Sequence, residues 1–306
     1  MQTRTIGSLT VSVVGLGCNN FGGRLDERAT AAVVDAALDA GITFFDTADI
    51  YGGTKSEEYL GRILEGRRDR VVLATKFGMA VDEDRKGAHP HYVRRAVEDS
   101  LRRLRTDHID LYQLHQPDPA VPIGDTLGVL QELVGAGKVR EIGCSNFSVA
   151  QLREARDAAG SGARFVSVQN QYSLLHREPE TGVLDECVRE GLAFLPFFPL
   201  ASGLLTGKYH RGRPAPKGTR LANRSNHRFL NEDNLEIVEG LRSFAEARGH
   251  TMLELAFSWL ASRPAVASVI AGATKPEQIR ANVAAAGWAL TASDLAEIDR
   301  IAPLTQ

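Results

Sequence analysis

Positions 44–52 of the chain read Phe44-Phe45-Asp46-Thr47-Ala48-Asp49-Ile50-Tyr51-Gly52. The short apolar run from Thr43 to Phe45 predicts a buried strand. The predicted strand ends at the carboxylate of Asp46, and a turn then leads to the phenol of Tyr51. This segment therefore places two ionisable side chains at or just beyond the end of a strand.

The same arrangement recurs twice further along the chain. The run at 71–76 (VVLATK) ends on Lys76, and the run at 109–115 (IDLYQLH) ends on His115. In a parallel barrel the carboxyl ends of all strands share one face, and active sites are built on that face. We therefore expect Asp46, Tyr51, Lys76 and His115 to converge.

Strands and helices alternate along the whole chain, which predicts a parallel sheet covered by helices. Residues Thr3 to Ser12 predict a small hairpin ahead of the first barrel strand. The predicted strands are Val13–Gly17, Thr43–Phe45, Val71–Lys76, Ile109–His115, Glu141–Cys144, Phe165–Gln169, Ala193–Pro196 and Val266–Ile270. Eight strands predict a single α/β domain over residues 1–306, a (β/α)8 TIM barrel with an N-terminal β-hairpin and extra C-terminal helices.

The predicted helices follow from apolar positions at three- and four-residue spacing and from capping residues. Asp26 and Ser56 are the predicted N-caps of the first two helices. Further helices are predicted over Pro90–Leu104, Ile123–Ala136, Leu184–Glu190, Glu232–Arg248 and Met252–Ala261, and from Ser148, Pro276 and Ser293. The segment from Ala201 to Asn231 is predicted to be a long loop. Loops of that length in compact domains are usually functional or partly disordered.

The amino-acid composition indicates which kind of molecule the protein binds. The 36 Lys and Arg residues nearly balance the 38 Asp and Glu residues, so there is no basic field for nucleic acid. The three cysteines are far apart, which favours a reducing compartment, and no apolar run is long enough for a membrane span. No metal site is predicted, because there is no HExxH motif and no cysteine beside a histidine. These features predict a cytoplasmic protein with a small-molecule partner.

The order Asp, Tyr, Lys, His resembles the catalytic tetrad of the aldo-keto reductases, in which the aspartate stands in a DxxxxY setting. The resemblance extends over nearly the whole chain, through Val14-Gly15-Leu16-Gly17, Ser145-Asn146-Phe147 and Gly272-Ala273-Thr274. It implies that Asp46, Tyr51, Lys76 and His115 are catalytic. Taken singly, each residue also has a structural interpretation. Asp46 would cap the next turn, Tyr51 and Lys76 would be residues of the barrel rim, and His115 would be a structural histidine.

Each residue of the tetrad has a distinct expected role in catalysis. A tyrosine is a poor acid near neutrality because its pKa is about 10. The Lys76 ammonium is expected to lower the pKa of Tyr51, while Asp46 holds the lysine charged and in place. Tyr51 then serves as general acid to a carbonyl oxygen, and His115 orients or polarises that oxygen.

The cofactor is expected at the loops after strands seven and eight, where barrels often bind phosphate beside a helix N-terminus. The chain has no GxGxxG fingerprint of the other common dinucleotide fold. Family resemblance implies NADP(H), with NAD(H) as the alternative. The implied cofactor-binding residues are Ser145, Asn146, Gln169, Phe197, Phe198, Pro199, Leu200, Ala201, Gly203, Lys208, Arg220, Gly272, Thr274, Gln278 and Asn282.

Some cofactor positions depart from the family pattern. Phe197 stands where many members have Tyr or Trp, and Phe198 replaces the usual serine of the phosphate region. Gln278 stands where some members have an arginine for the 2′-phosphate, which weakens the prediction of NADP over NAD. Lys275 and Arg280 are the candidate substitutes. Ser145, Gln278 and Asn282 also have a structural alternative, as turn or solvated helix residues.

Three functions remain open from the sequence. The leading one is NADPH-dependent reduction of aldehydes or ketones, with a substrate pocket walled by Asn19, Phe21, Phe77 and Phe198. The second is an NAD(P)-dependent dehydrogenase of sugars or polyols, because the tetrad works in both directions. A third is a regulatory subunit that holds NADP, since the family includes potassium-channel β subunits. The substrate and the oligomeric state are not predicted.

Overall fold

A computed structural model describes residues 1–222 and 229–304 of the chain. It opens with a hairpin of strands β1 (Thr3–Ile6) and β2 (Leu9–Ser12), which pair antiparallel with Thr3 opposite Ser12. The turn between them includes Gly7, whose positive φ of 54° suits a residue without a Cβ.

Eight parallel strands follow and form the barrel wall. They are β3 (Val14–Gly17), β4 (Phe44–Asp46), β5 (Val72–Phe77), β6 (Ile109–Leu114), β7 (Val139–Ser145), β8 (Ser167–Gln171), β9 (Ala193–Phe197) and β10 (Val269–Gly272). Their order in the 8-stranded sheet is β10-β3-β4-β5-β6-β7-β8-β9. The remaining seam, between β9 and β10, is joined by a parallel bridge from Phe194 to Val266. The prediction of a (β/α)8 barrel with an N-terminal hairpin is confirmed.

Ten α-helices lie in the described part of the chain. They are α1 (Glu27–Asp39), α2 (Lys55–Ile63), α3 (Pro90–Leu104), α4 (Ile123–Gly135), α5 (Val149–Ala159), α6 (Val183–Glu190), α7 (Glu232–Glu246), α8 (Met252–Ala261), α9 (Pro276–Ala284) and α10 (Ala292–Ile301). Within residues 1–222 and 229–304, none of the helices has the length and apolar character needed to cross a membrane.

Capping chemistry sets most helix starts. Asp26 caps α1 by accepting a hydrogen bond from the Ala29 N–H, as predicted. The prediction of Ser56 as the cap of α2 is wrong. The helix begins at Lys55 after Thr54, and Ser56 is buried inside its first turn. The Ser56 hydroxyl donates instead to the Cys18 carbonyl at 3.0 Å, because the first barrel loop packs against this turn.

Strand boundaries differ from prediction mainly at the last strand. The ladder of β10 with β3 runs from Val269 to Gly272, whereas the sequence predicted Val266–Ile270. Val266 is used for the seam with β9, where the Phe194 N–H donates to the Ala265 carbonyl at 2.7 Å. Val266, Val269 and Ile270 are all apolar and buried, so hydrophobicity alone does not set the bounds of the strand.

The buried residues form two hydrophobic clusters. The larger lies between the barrel wall and the surrounding helices. The smaller lies inside the barrel, where Ile6, Leu9 and Val11 of the hairpin pack with Phe44 and Leu111. Arg4 anchors the hairpin by donating to the Ala261, Arg263 and Val266 carbonyls ahead of β10. The hairpin therefore closes the end of the barrel opposite the carboxyl ends of the strands.

The described part of the long loop after β9 includes the short 3-10 helices Ala201–Thr206 and Arg220–Ala222. Its first segment is unusual in backbone conformation: Phe198, Ala201 and Ser202 all have positive φ, at 51°, 45° and 58°. Such angles are uncommon for residues with a Cβ and cost energy that the surrounding packing must offset. Residues 223–228 of this predicted loop lie outside the described residues.

Candidate active site

The predicted catalytic residues meet at the carboxyl ends of three adjacent strands. Asp46 is the last residue of β4, Lys76 lies near the end of β5, and His115 directly follows β6. Tyr51 stands on the turn between β4 and α2, held by a hydrogen bond from its N–H to the Ala48 carbonyl. The parallel strands therefore bring together the groups that the sequence predicted to converge.

Lys76 and Asp46 form a buried ion pair. The Lys76 Nζ lies 2.6 Å from Asp46 Oδ2 and 2.7 Å from the Thr47 carbonyl, with the lysine fully buried. Burial by itself would lower the pKa of Lys76, but the interactions with Asp46 and Tyr51 together outweigh burial, and the pKa is raised. Asp46 keeps its second oxygen satisfied by accepting from the Gln113 and Gln169 side-chain amides, at 3.0 and 2.9 Å. These contacts hold Lys76 as a charged ammonium.

Tyr51 lies over this pair. The Lys76 Nζ is 5.2 Å from the centre of the Tyr51 ring, and the ring meets that of His115 edge-on at 5.9 Å. The prediction of a lowered pKa for Tyr51 is wrong for this structure. Burial raises the pKa of Tyr51, and the Lys76 charge opposes burial without overcoming it. The phenol is therefore protonated at neutral pH, as an acid must be.

His115 is a neutral imidazole. Burial, with a contribution from the Lys76 charge, lowers its pKa to about 3. Its Nδ1 is buried without a hydrogen-bond partner within the described residues. An unpartnered nitrogen in such a place costs free energy unless a ligand supplies a partner. His115 also lines the cavity, so a neutral imidazole borders the space above the Lys–Asp pair.

Strands β7 and β8 place polar side chains beside the tetrad. The Ser145 hydroxyl donates to the Gln169 carbonyl at 2.7 Å. Asn146 has a φ of 62°, and its amide donates to the His115 carbonyl at 2.9 Å. This contact ties the end of β7 to the end of β6, so that these predicted cofactor-binding residues and the predicted catalytic residues share one wall.

A cavity of about 810 Å³ opens above these residues. Tyr51, His115 and Asp46 line its floor, and the loops after β9 and β10 form its far wall. Its volume falls in the range typical of small-molecule and cofactor sites.

A comparison with known protein families matches residues 13–303 to the aldo/keto reductase family. That match spans nearly the whole chain. The protein belongs to the aldo/keto reductase family. It is therefore an oxidoreductase of carbonyl and alcohol groups, in a family that generally uses NAD(P)H.

Curated relatives agree with this assignment. The aldo-keto reductase YhdN of Bacillus subtilis is 37% identical over 96% of this chain and 90% of its own. A probable voltage-gated potassium channel subunit beta of Arabidopsis thaliana is 34% identical over 93% of this chain and 91% of its own.

Solved structures of the same fold include two similar enzymes. The glycerol dehydrogenase of Gluconobacter oxydans superposes with a TM-score of 0.85 at 32% identity, over 98% of this chain and 94% of its own. An aldo-keto reductase of Bacillus halodurans, solved in its holo form, superposes with a TM-score of 0.81 at 33% identity, over 99% of this chain and 96% of its own.

Most residues with a predicted cofactor role in this aldo-keto reductase line the cavity. They are Ser145, Asn146, Gln169, Phe197, Phe198, Pro199, Leu200, Gly203, Lys208, Arg220, Gly272, Thr274, Gln278 and Asn282. Ala201 does not reach the cavity surface and is buried behind the loop. Asn19, predicted for the substrate pocket, also lines the cavity.

The placement of Phe21 and Phe77 in the substrate pocket is wrong. Both are fully buried in the hydrophobic core. Phe77 follows Lys76 on β5, so its side chain points to the opposite face of the sheet, where it stacks on Tyr112 at 4.6 Å. Met79, two residues further, lines the cavity instead.

Gly272 packs closely against the loop after β3, because a Cβ there would lie 3.0 Å from the Asn20 Nδ2 and 3.1 Å from the Asn19 Oδ1. Among the substitutes considered for the 2′-phosphate, Lys275 lines the cavity. Arg280 is exposed, with its Nη1 3.9 Å from Glu277 Oε1, and it does not line the cavity.

Sequence reasoning missed two cations of the cavity wall. Arg24, on the loop between β3 and α1, and Lys217, on the long loop, both line the cavity. They lie in segments without regular structure, so periodicity could not place them. The Gly-Gly-Arg sequence at 22–24 offered only the signal of a basic residue in a barrel loop.

Proposed function

We propose that the protein catalyses NADPH-dependent reduction of aldehydes or ketones to alcohols, with Tyr51 as proton donor. One observation carries the proposal: a protonated phenol and a neutral imidazole face one cavity, directly above a buried Lys–Asp pair. This arrangement can receive the negative charge that develops on a carbonyl oxygen.

The nicotinamide, when bound, supplies the hydride for the carbonyl carbon. Ser145, Asn146 and Gln169 would hold its carboxamide, since their side chains line the wall nearest His115. Phe197 would present a ring face to the nicotinamide. Thr274, Gln278 and Asn282 would hold the adenosine end beside the start of α9.

The protein's own residues move the proton. Tyr51 donates its hydroxyl proton to the carbonyl oxygen as charge builds there, and Lys76 stabilises the resulting phenolate. Asp46 keeps Lys76 charged and fixed. His115 orients the carbonyl oxygen through an imidazole nitrogen, which is neutral at working pH because burial lowers its pKa to about 3.

Preference for NADPH over NADH is supported by Lys275. This lysine immediately precedes α9 and lines the cavity beside Thr274 and Gln278. A lysine at this place offers a positive charge to a 2′-phosphate, and the free N–H groups of the helix start add to it.

Substitution of the proposed acid tests the function. In Tyr51→Phe, reduction of a small aldehyde panel by NADPH is expected to fall by at least about a hundredfold, because the proton donor is lost. NADPH binding, followed by cofactor fluorescence, should change little. Tyr59→Phe, on the outer helix α2, is the matched control and should keep full activity. Unchanged turnover in Tyr51→Phe would show that another group is the acid.

A polyol dehydrogenase is the second candidate, favoured by the similarity to the glycerol dehydrogenase of Gluconobacter oxydans. The same panel should include glycerol and other polyols with NAD and NADP as oxidants. Faster alcohol oxidation than aldehyde reduction at matched pH would select it. Binding of NADPH without turnover of any carbonyl or alcohol would instead favour the third candidate, a regulatory subunit that holds NADP, in line with the similarity to a probable potassium channel subunit beta.

We further propose a small-molecule partner and a cytoplasmic location. The latter is supported by Cys18, Cys144 and Cys187, which are all free and buried, as in proteins of reducing compartments. Fractionation of cells that produce the tagged protein tests this, and its recovery outside the cytoplasmic fraction would contradict it.

A further inference from the structure

The mouth of the cavity is strongly positive. Arg24, Lys208, Lys217, Arg220 and Lys275 line it. Asp46 is the acidic residue of the same lining, and it is neutralised by Lys76 at the floor. A cleft with one sign of charge concentrates ligands of the opposite sign. This excess of cationic over acidic residues in the described lining therefore favours an anionic ligand.

Arg24 comes from a different loop than Lys208 and Arg220, one that lies two strands away around the barrel. It lies on the loop between β3 and α1, whereas Lys208 and Arg220 both follow β9. The Arg24 N–H donates to the Asn20 carbonyl at 2.9 Å, which fixes the turn that carries it. The position of Arg24 is thus set by the backbone and not by a contact of its guanidinium.

Asn20 connects the loop of Arg24 to the long loop that carries Arg220. Its side-chain oxygen accepts a hydrogen bond from Arg220 Nη2 at 2.8 Å, and its amide donates to the Ala273 carbonyl at 3.2 Å. Asn20 is itself buried. The loop of Arg24, the long loop and the loop after β10 therefore meet at one point, with their cations on the cavity side.

These cations repel one another in the structure as it stands. Burial lowers the pKa of Lys208, and the charges of Arg24 and Arg220 lower it further. Burial and then the charge of Arg24 likewise lower the pKa of Arg220. A bound anion between them would remove this repulsion, so the cluster gains stability from an anionic ligand.

Arg24 differs from the arginines of the outer surface. Arg62, Arg94 and Arg248, for example, each form ion pairs with carboxylates at 2.6–2.8 Å. Within residues 1–222 and 229–304, no carboxylate lies within 4.0 Å of the side-chain nitrogens of Arg24 or Lys208. Their charges are left available to a ligand.

We propose that Arg24 binds a phosphate group of the bound ligand, together with Lys208 of the long loop. This rests on the proposed function, which brings a phosphate-bearing molecule into the cavity. Arg24 adds a cation that family resemblance did not imply. The phosphate belongs either to the pyrophosphate of the cofactor or to a phosphorylated carbonyl substrate, and the two sources are separable by experiment.

The first measurement is NADPH affinity of the full-length protein, by cofactor fluorescence at low and high salt. Arg24→Gln is expected to weaken NADPH binding about tenfold at low salt, as for a lost charge-assisted hydrogen bond. Arg24→Gln should also reduce the salt dependence of NADPH affinity, because the variant has one ionic contact to phosphate fewer for salt to screen. Arg24→Lys should restore most of the affinity. Arg28→Gln, an exposed arginine on α1 that does not line the cavity, should match the wild type.

A second measurement separates the sources of the phosphate. The ratio of kcat/KM for glyceraldehyde 3-phosphate over glyceraldehyde is compared in wild type and Arg24→Gln. A fall in this ratio with unchanged NADPH affinity places the contact on the substrate phosphate. Loss of NADPH affinity with an unchanged ratio places it on the cofactor.

The inference and the proposed function fail in different ways. If Arg24→Gln changes neither NADPH affinity nor the substrate ratio while the protein turns over carbonyls, the role of Arg24 is wrong and the reductase stands. If the wild type binds no NADPH, competition by inorganic pyrophosphate with a fluorescent anion still tests Arg24. Equal pyrophosphate binding by wild type and Arg24→Gln would then overturn the inference together with the function.

Discussion

At the scale of single residues, buried carboxylates differ in how their charge is compensated. Asp46 has a lysine and two amide donors around it. Asp49, three residues on, is equally buried, and both of its carboxylate oxygens lack a hydrogen-bond partner within the described residues. Burial and then the nearby Glu57 charge raise the pKa of Asp49 to about 8. The Asp49 carboxyl is therefore mostly neutral at neutral pH.

Asp49 makes stability depend on pH. The unfolded chain ionises this carboxyl near pH 4, whereas the folded chain holds the proton to about pH 8. Folding therefore takes up a proton between these values, and the free energy of unfolding falls as pH rises through that window. Asp49→Asn cannot ionise, so its melting temperature relative to wild type is expected to rise by a few degrees from pH 4 to pH 8.

Thermal unfolding at a series of pH values measures this difference. Asp69→Asn, an exposed carboxylate, is the control and should show a constant difference from wild type across the series. A constant difference for Asp49→Asn as well would mean that Asp49 is ionised in the folded protein.

At the scale of elements, the site depends on how α2 seats against α3. Helix α2 begins directly after the Tyr51 turn, and Gly61 lies on its buried face. A Cβ on Gly61 would lie 2.2 Å from the Arg103 carbonyl oxygen and 2.7 Å from the Leu104 carbonyl carbon. Both atoms are backbone, so relief requires the two helices to separate.

Gly61→Ala is therefore expected to destabilise the protein by about 1–3 kcal/mol, despite the higher helix propensity of alanine. Gly128→Ala provides the matched control, since Gly128 lies within α4 and a Cβ there meets nothing within 4 Å. That variant should gain up to about 1 kcal/mol. Urea unfolding measures both, and equal effects of the two substitutions would contradict the close packing of α2 on α3.

At the scale of the whole molecule, stability and binding are built at opposite ends of the barrel. The hairpin seals one end with Ile6, Leu9 and Val11, while the tetrad and the cationic mouth occupy the other. A change in the seal should therefore alter stability without altering the site.

Leu9→Ala tests this separation. Leu9 is 1% exposed, and its removal leaves a cavity among Phe44, Leu111 and Leu195. The expected loss is about 2–5 kcal/mol of unfolding free energy, with NADPH affinity within twofold of wild type. Val188→Ala, at a side chain 61% exposed, should change neither quantity. A large loss of NADPH affinity in folded Leu9→Ala would show that the two ends are coupled.

Local sequence pattern was sufficient for the elements and for the convergence of the tetrad. Helix α3 has the predicted bounds, because Pro90 suits a helix start and the apolar spacing persists to Leu104. Asp46, Lys76 and His115 converge because parallel strands of similar length end on one face. These features depend on residue type and spacing, which the chain carries along its length.

Contacts between distant segments decided the rest. The pleat turned Phe77 into the core, packing of the first loop drew Ser56 inside α2, and the fold brought Arg24 beside Lys208. The pKa of Tyr51 is raised where the sequence suggested lowering, because burial outweighs the lysine charge. By itself the sequence determined the barrel, its strand ends and the residues they carry. Only the tertiary structure decided burial, charge environment and the cavity wall, since these arise from residues far apart in the chain.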